Sequence, residues 1–240
     1  MPKSAKQTSS PPSQNQRSIF KGDAPEFRKE TLYQQAYDAL KHAMMEGRMR
    51  PGNAVSLRSL ASELNVSPMP IRDALNRLVT QRALELLPNR TVRVPLMNRE
   101  KFKELTDVRC YLEGQIAKRA AAQMPRKQIS RMSEKNALMK AAAKSGAIEE
   151  FLKANFEFHF MLYENAQSEV MMPIVESLWL QAGPFLNEYI RARGFGIAAE
   201  HHESILKGLR DGDTDKVREQ VEADIRDASV SILEYALTSS

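Results

Sequence analysis

The chain has 240 residues, 42% hydrophobic and 27% charged, with a formal net charge of +5. That is an ordinary globular composition, long enough for two modest domains. A single cysteine, Cys110, excludes an internal disulfide framework and a multi-cysteine zinc site, and no apolar run approaches the roughly 20 residues of a membrane helix.

Residues 1–30 are rich in Ser, Pro, Gln and Lys, lack apolar periodicity and are predicted to be a disordered basic tail. The opening "MPKSAKQTSSPPSQNQRS" has no apolar core, so it is not read as a signal peptide and a cytoplasmic location is expected. The positive charge is concentrated early: +3 in residues 1–30, +4 in 31–97 and −2 in 98–240. A basic N-terminal part on a mildly acidic C-terminal part points to a polyanion partner for the first part only.

From Thr31 the pattern changes. Leu32, Ala36, Ala39, Leu40, Ala43 and Met44 fall near helical spacing, with Thr31 as N-cap and Gly47 as a stop. Pro51-Gly52 marks a turn. "SLRSLASELN" predicts a short helix capped by Ser56. "NVSPMPIRDALNRL" then opens a helix that runs to about Gln81. Pro68 and Pro70 fit its first turn, where a missing N–H has no helical partner, and Ser67 is the expected N-cap. Leu75 and Leu78 should pack inward. "ALELLP-NRT-VRVPL" predicts two short strands about a tight turn, with Asn89, Arg90 and Thr91 at its tip. Beyond Asn98 no strand signal remains. A helix carrying Phe102, Leu105, Leu112, Ile116 and Ala120 on one stripe is followed by helices over about 126–144, 147–166, 168–189, 197–210 and 213–237. The predicted fold class is therefore mainly α: a winged helix-turn-helix over 31–97 and an all-α bundle over 98–240.

In a winged helix-turn-helix the second helix of the pair presents its N-terminal residues to base edges in the major groove. Ser67 and the free N–H groups beside it suit a phosphate, and Arg72, one turn in, suits guanine or phosphate. Arg58 is placed for a backbone contact. Arg77 and Arg82 read better as solvated side chains. The stretch "PGNAVSLRSLASELNVSPMPIRDALNRLVTQRALELLPNRTVRV" resembles the DNA-binding domain of the GntR family of bacterial transcription regulators. The resemblance rests on Pro-Gly, Leu-x-x-Leu-Ala and Val-Ser-x-x-Pro-Ile-Arg-Asp-Ala-Leu-x-x-Leu. It implies DNA contacts by Arg58, Ser67 and Arg72, on a pseudo-palindromic operator bound by a homodimer; Met69 and Pro70 at the head of the second helix and Asn89 and Arg90 at the wing tip are further candidate contacts. Relatives commonly carry Arg where this chain has Pro68, and favour glycine in the wing where it has "NRT".

Four features stand out in the C-terminal part: Arg109 and Glu113 in "VRCYLEGQIA", Asn155 and His159 in "NFEFH", His201 and His202 in "EHHESIL", and Asp224. The two i, i+4 pairs each share a helix face. By itself a helical histidine is more often a core residue than a ligand, Arg109 with Glu113 can be a plain salt bridge, and Phe156, Phe158, Phe160, Met171 and Met172 read as packing. Trp179 fits core or pocket. Together the four features resemble the FCD domain of FadR-like GntR regulators, and the register selects His202 over His201. The resemblance implies a divalent metal (Zn²⁺, Ni²⁺, Mn²⁺ or Fe²⁺) held by Asn155, His159, His202 and Asp224, or else a metal-free polar pocket. It implies a small carboxylate effector, a sugar acid or short organic acid, contacted by Arg109 and Glu113, whose binding releases DNA. The fullest family pattern has Asp at the place of Asn155 and His at the place of Asp224. A metal-dependent enzyme is the competing class. It lacks a Ser/His/Asp or Cys/His set, a phosphate-binding Gly loop and a His-Glu-x-x-His run, and Glu157 and Glu203 fall off the ligand face.

Overall fold

The computed structural model describes residues 32–88, 91–195 and 198–235. Helix α1 (Leu32–Met45) buries Ala36, Tyr37, Leu40, Met44 and Met45, the stripe that its 3.6-residue period dictates. The chain leaves it through Gly47 at φ +67°, the stop expected from sequence; the expected cap Thr31 lies outside the described residues. Strand β1 (Ala54–Val55) leads to α2 (Leu57–Glu63), whose cap Ser56 accepts the Ser59 N–H at 3.0 Å. Asn65, in the left-handed region at φ 53°, turns the chain tightly toward α3 (Pro68–Thr80).

Ser67 occupies the N-cap position of α3, yet its hydroxyl makes no cap bond, contrary to the sequence expectation. A cap hydroxyl bonds the second or third helical N–H, and Pro70 has removed the third. Ile71, Ala74, Leu75 and Leu78 pack inward as expected. Strands β2 (Glu85–Leu86) and β3 (Val92–Arg93) form the wing. The sheet has three strands in the order β1-β3-β2, all antiparallel, with Ala54 and Glu85 on either side of Arg93. Arg93 and Glu85 are ion-paired across it at 2.6 Å.

Asn98 starts α4 (Arg99–Ala121) by accepting the Lys101 N–H at 2.9 Å. Then follow α5 (Arg126–Ser145), α6 (Ile148–Glu164), α7 (Met171–Arg193), α8 (Ala198–Asp211) and α9 (Thr214–Tyr235). Helix α4 packs along α9, α5 along α6, and α8 along α9. No described helix is long and apolar enough to cross a membrane.

Helix α7 packs against α4, α6, α9 and α1, and its contact with α1 is unusually close. A Cβ on Gly183 would lie 2.5 Å from the Met44 carbonyl oxygen and 3.0 Å from the Met45 Cα. One turn on, Asn187 donates its amide to the Gly47 carbonyl at 2.8 Å and accepts from Arg191. Lys41–Glu176 at 3.3 Å and Arg50–Glu188 at 3.5 Å flank the contact. Replacing a helical glycine by alanine normally stabilises by about 0.5–1 kcal/mol. Gly183→Ala should do the reverse, destabilising by about 1–2 kcal/mol, because the methyl meets backbone that cannot swing away. Urea denaturation followed by circular dichroism measures the sign.

Candidate functional site

The face that would meet DNA is built by α2 and α3. Arg58 is the second residue of α2 and Arg72 the fifth of α3; both are exposed, and neither makes an ion pair among the described residues. Ser67 and Pro68 are exposed and Pro70 is half-buried. Met69 is 62% exposed at the tip of α3, an apolar side chain suited to a thymine methyl. Asn89 and Arg90 lie outside the described residues. Arg77 is exposed, as expected, but it also packs: its guanidinium sits 3.7 Å from the centre of the Tyr37 ring.

The second site lies inside the helical bundle. Arg109 from α4, Asn155 and His159 from α6, Trp179 from α7 and Asp224 from α9 line one cavity. His202 from α8 is fully buried behind it and stacks flat on Phe158 at 3.9 Å. His159 Nε2 stands 3.0 Å from His202 Nε2 and 3.0 Å from Asp224 Oδ2. His202 Nε2 is 3.9 Å from the same carboxylate oxygen. His201 points elsewhere, to Asp227 at 2.8 Å, as the register required. Glu157 and Glu203 face Lys135 and Lys140, off the ligand face as expected.

Glu113 takes a different place from the one the sequence implied. It is wholly buried and does not line the cavity. Its carboxylate accepts from Arg109 Nε at 2.6 Å, Trp179 Nε1 at 2.7 Å and the Tyr163 hydroxyl at 2.8 Å. It is thus a support beneath the cavity rather than a wall of it. Sequence reasoning missed Tyr163, although Phe151, Asn155, His159 and Tyr163 recur every four residues along one face of α6. Trp179 serves both roles left open, since its N–H anchors Glu113 and its ring lines the cavity.

This support fixes the tautomer of His159. Burial, with the charge of Glu113 next, raises the Tyr163 hydroxyl well above its usual range, so it remains a donor. It spends its proton on Glu113 and can only accept from His159 Nδ1, 3.2 Å away. A neutral His159 then has its proton on Nδ1 and a bare lone pair on Nε2, facing the Asp224 carboxylate. Burial, then the positive charge of His159 when that residue is protonated, lowers His202 to about 3 and keeps it neutral. Burial alone would raise Asp224; a proton on His159 Nε2 hydrogen-bonded to it, with the positive charge of the imidazoles when protonated, brings it below its usual value. The three atoms lie within 4.8 Å of one another. Neutral His202 can set one proton, on Nε2, toward His159. The His159 lone pair and the Asp224 carboxylate at 3.0 Å still face each other unless a cation, a proton or a metal ion, lies among them. Donors at Zn–N distances of about 2.0–2.1 Å in a tetrahedron stand about 3.3 Å apart, so the observed separations fit a first-row metal. The buried Nδ1 of His202 has no partner among the described residues.

A winged helix-turn-helix joined to an all-helical bundle with a buried polar pocket defines a class, the two-part bacterial transcription regulators. Family models agree. The model described as "Bacterial regulatory proteins, gntR family" matches residues 32–94, and the model described as "FCD domain" matches residues 104–227. The chain belongs to the GntR family of regulators and carries an FCD domain. It is 26% identical over 206 residues to the HTH-type transcriptional regulator McbR of Escherichia coli, spanning 85% of this chain and 93% of that one. The solved structure of E. coli McbR/YncC superposes with a TM-score of 0.80, covering 87% of this chain and 99% of that one at 24% identity. The chain is also 25% identical to the gluconate operon transcriptional repressor of Bacillus licheniformis, over 73% of this chain and 74% of that one. These relatives are regulators, not enzymes, which removes the metal-dependent enzyme as a reading.

Proposed function

We propose that this regulator is a cytoplasmic homodimeric repressor, released from a pseudo-palindromic operator when a small carboxylate enters the helical pocket beside a divalent metal. The observation that carries the reading is the triangle of His159 Nε2, His202 Nε2 and Asp224 Oδ2, whose donors face one another with too few protons to share. His159, His202 and Asp224, with the Asn155 carbonyl, would hold the ion; when bound it supplies a positive centre with open positions. The fixed charges of the chain require such a centre. Arg109 is matched by Glu113, so the lining of the cavity carries one unmatched charge, the negative one of Asp224. A carboxylate entering without a cation would meet like charge in a desolvated site.

The route to DNA runs through α7. Ala182, Gly183 and Leu186 line the cavity, and Gly183 touches the α1 backbone on its other side. A ligand that shifts this turn shifts α1 and the helices packed on it, and so favours one placement of the reading helices. The direction, release of DNA, is supported by the repressor names of relatives such as the gluconate operon repressor. Two-fold symmetry doubles the contact of a single small winged helix.

Arg72→Ala should lose most of its operator specificity, about 1–3 kcal/mol for one bidentate base contact. Arg58→Ala should weaken operator and non-operator DNA alike and flatten the salt dependence. Mobility shifts at several salt concentrations separate the two outcomes, and light scattering of the free protein and its complex should return two chains, not one. Tyr163→Phe removes the acceptor that holds His159 Nδ1–H. Metal affinity should fall about 10–100-fold by competition with a chelating dye, with basal DNA binding kept. His159→Ala with His202→Ala should abolish both metal binding and the response to acids.

A further inference from the structure

We infer that the carboxylate taken by this pocket carries an apolar body, branched or aromatic, and is not a polyhydroxy acid. The inference rests on the proposed reading of the pocket as a carboxylate site. It narrows that site to a ligand class that the sequence did not indicate.

Most of the polar groups of the cavity belong to one cluster, its polar end. Arg109, Asn155, His159 and Asp224 supply its hydrogen-bonding side chains there. Even that end has little to spare, because the Nε edge of Arg109 is taken by Glu113 at 2.6 Å. The rest of the lining is mostly hydrocarbon: Phe151, Leu186, Ile190, Phe195 and Ile225, with Ala182, Gly183 and Ala198; the further polar groups are the Trp179 N–H, taken by Glu113, and the hydroxyl of half-buried Tyr189. Phe151 and Phe195 face each other with ring centres 4.9 Å apart and planes at 57°, closing that end with aromatic edges. Phe151 and Ile190 belong to a buried apolar cluster on which Leu186, Phe195 and Ala198 pack. The enclosed part of the cavity is small, about 50 Å³, so the lining must part to admit a ligand.

A sugar acid carries a hydroxyl on nearly every carbon. With its carboxylate at the polar end, those hydroxyls would be stripped of water against Phe151, Ile190 and Ile225, and the single hydroxyl of Tyr189 could meet only one of them. A branched or aromatic acid of the same length loses only apolar surface to apolar surface, which favours binding. The side chains beyond the polar end therefore select against hydroxyls. The same apolar body would lie against Ala182, Gly183 and Leu186, the turn of α7 that carries α1.

The chain has one tryptophan, Trp179, and it lines this cavity, so its fluorescence reports binding there alone. The experiment titrates Zn²⁺-loaded full-length protein with phenylacetate, 4-methylpentanoate and gluconate. The two apolar acids should change Trp179 emission at concentrations at least ~10-fold below gluconate. Gluconate binding as tightly as phenylacetate, or more tightly, overturns the inference and leaves the carboxylate reading standing. Silence with all three acids removes the carboxylate reading and the inference with it. Phe195→Gln, at a half-buried position and with folding checked by circular dichroism, should weaken phenylacetate ~10-fold and leave gluconate unchanged or tighter. Unchanged phenylacetate affinity in that variant would show that the body of the acid does not lie where the structure places it.

Discussion

The carboxylate of Glu113 is the interaction on which the effector half of this protein depends. It is completely buried, and it is tied by Arg109 from its own helix, Tyr163 from α6 and Trp179 from α7. A buried carboxylate is tolerated only when its lone pairs are spoken for, and removing a partner from such a pair costs about 3–5 kcal/mol. Three helices are thereby held in one register by one group. The consequences radiate outward. Tyr163 turns His159, Trp179 is set as a wall, and Arg109 is held against the Trp179 ring at 5.1 Å. The cavity has its shape because an acid beneath it cannot be left unsatisfied.

Helix α7 joins that arrangement to α1. On one side it meets the Glu113 cluster and the cavity; on the other it takes the end of α1 at Gly183 and Asn187. The contact at Gly183 is backbone on backbone, with no flexible side chain between to absorb a displacement. Pro184 follows directly inside the helix and removes the N–H that would bond the preceding turn. The turn of α7 nearest both sites is therefore the one whose own helical bonding is weakest. The reading helices, in turn, rest on α1 through the buried stripe of Ala36, Tyr37 and Leu40. Packed elements of this kind shift between discrete arrangements rather than bend smoothly, which is what a switch requires.

Much of this was legible in the sequence because it is local. Helical stripes, the Pro-started α3, the glycine and proline breaks, and the His159 and His202 register all lie within a few residues of their own signals. Strand β1 was not legible, since two residues, Ala54 and Val55, show no alternation; pairing with β3 makes the strand. The silence of the Ser67 hydroxyl was legible in principle, because Pro70 occupies the position whose N–H it needed. Glu113 was read as a ligand contact together with Arg109, because the two share a helix face four residues apart and the family resemblance pairs them. Its real partners Tyr163 and Trp179 lie 50 and 66 residues away, and only the tertiary fold brings them together. The approach of Gly183 to Met44 is of the same kind: a glycine inside a helix carries no sign of what it faces.

The two departures from the fullest family pattern make sense as a pair. That pattern has one carboxylate, at the position of Asn155, and three imidazoles. This chain has one carboxylate as well, moved across the cavity from α6 to α9 at Asp224, and both positions line the same space. Either change alone would alter the charge of the set. Asn155 without Asp224 would leave no anionic donor; Asp224 without Asn155 would leave two. On the proposed reading, a divalent ion with one carboxylate would leave a net charge of +1, which one incoming carboxylate would bring to zero inside a desolvated cavity. With two carboxylates the same ligand would bury an unmatched negative charge. The swap preserves the electrostatic sum while moving the anionic donor beside His202 and away from α6. That shift leaves the neutral amide of Asn155 next to Phe151, one helical turn away, where the cavity wall becomes hydrocarbon.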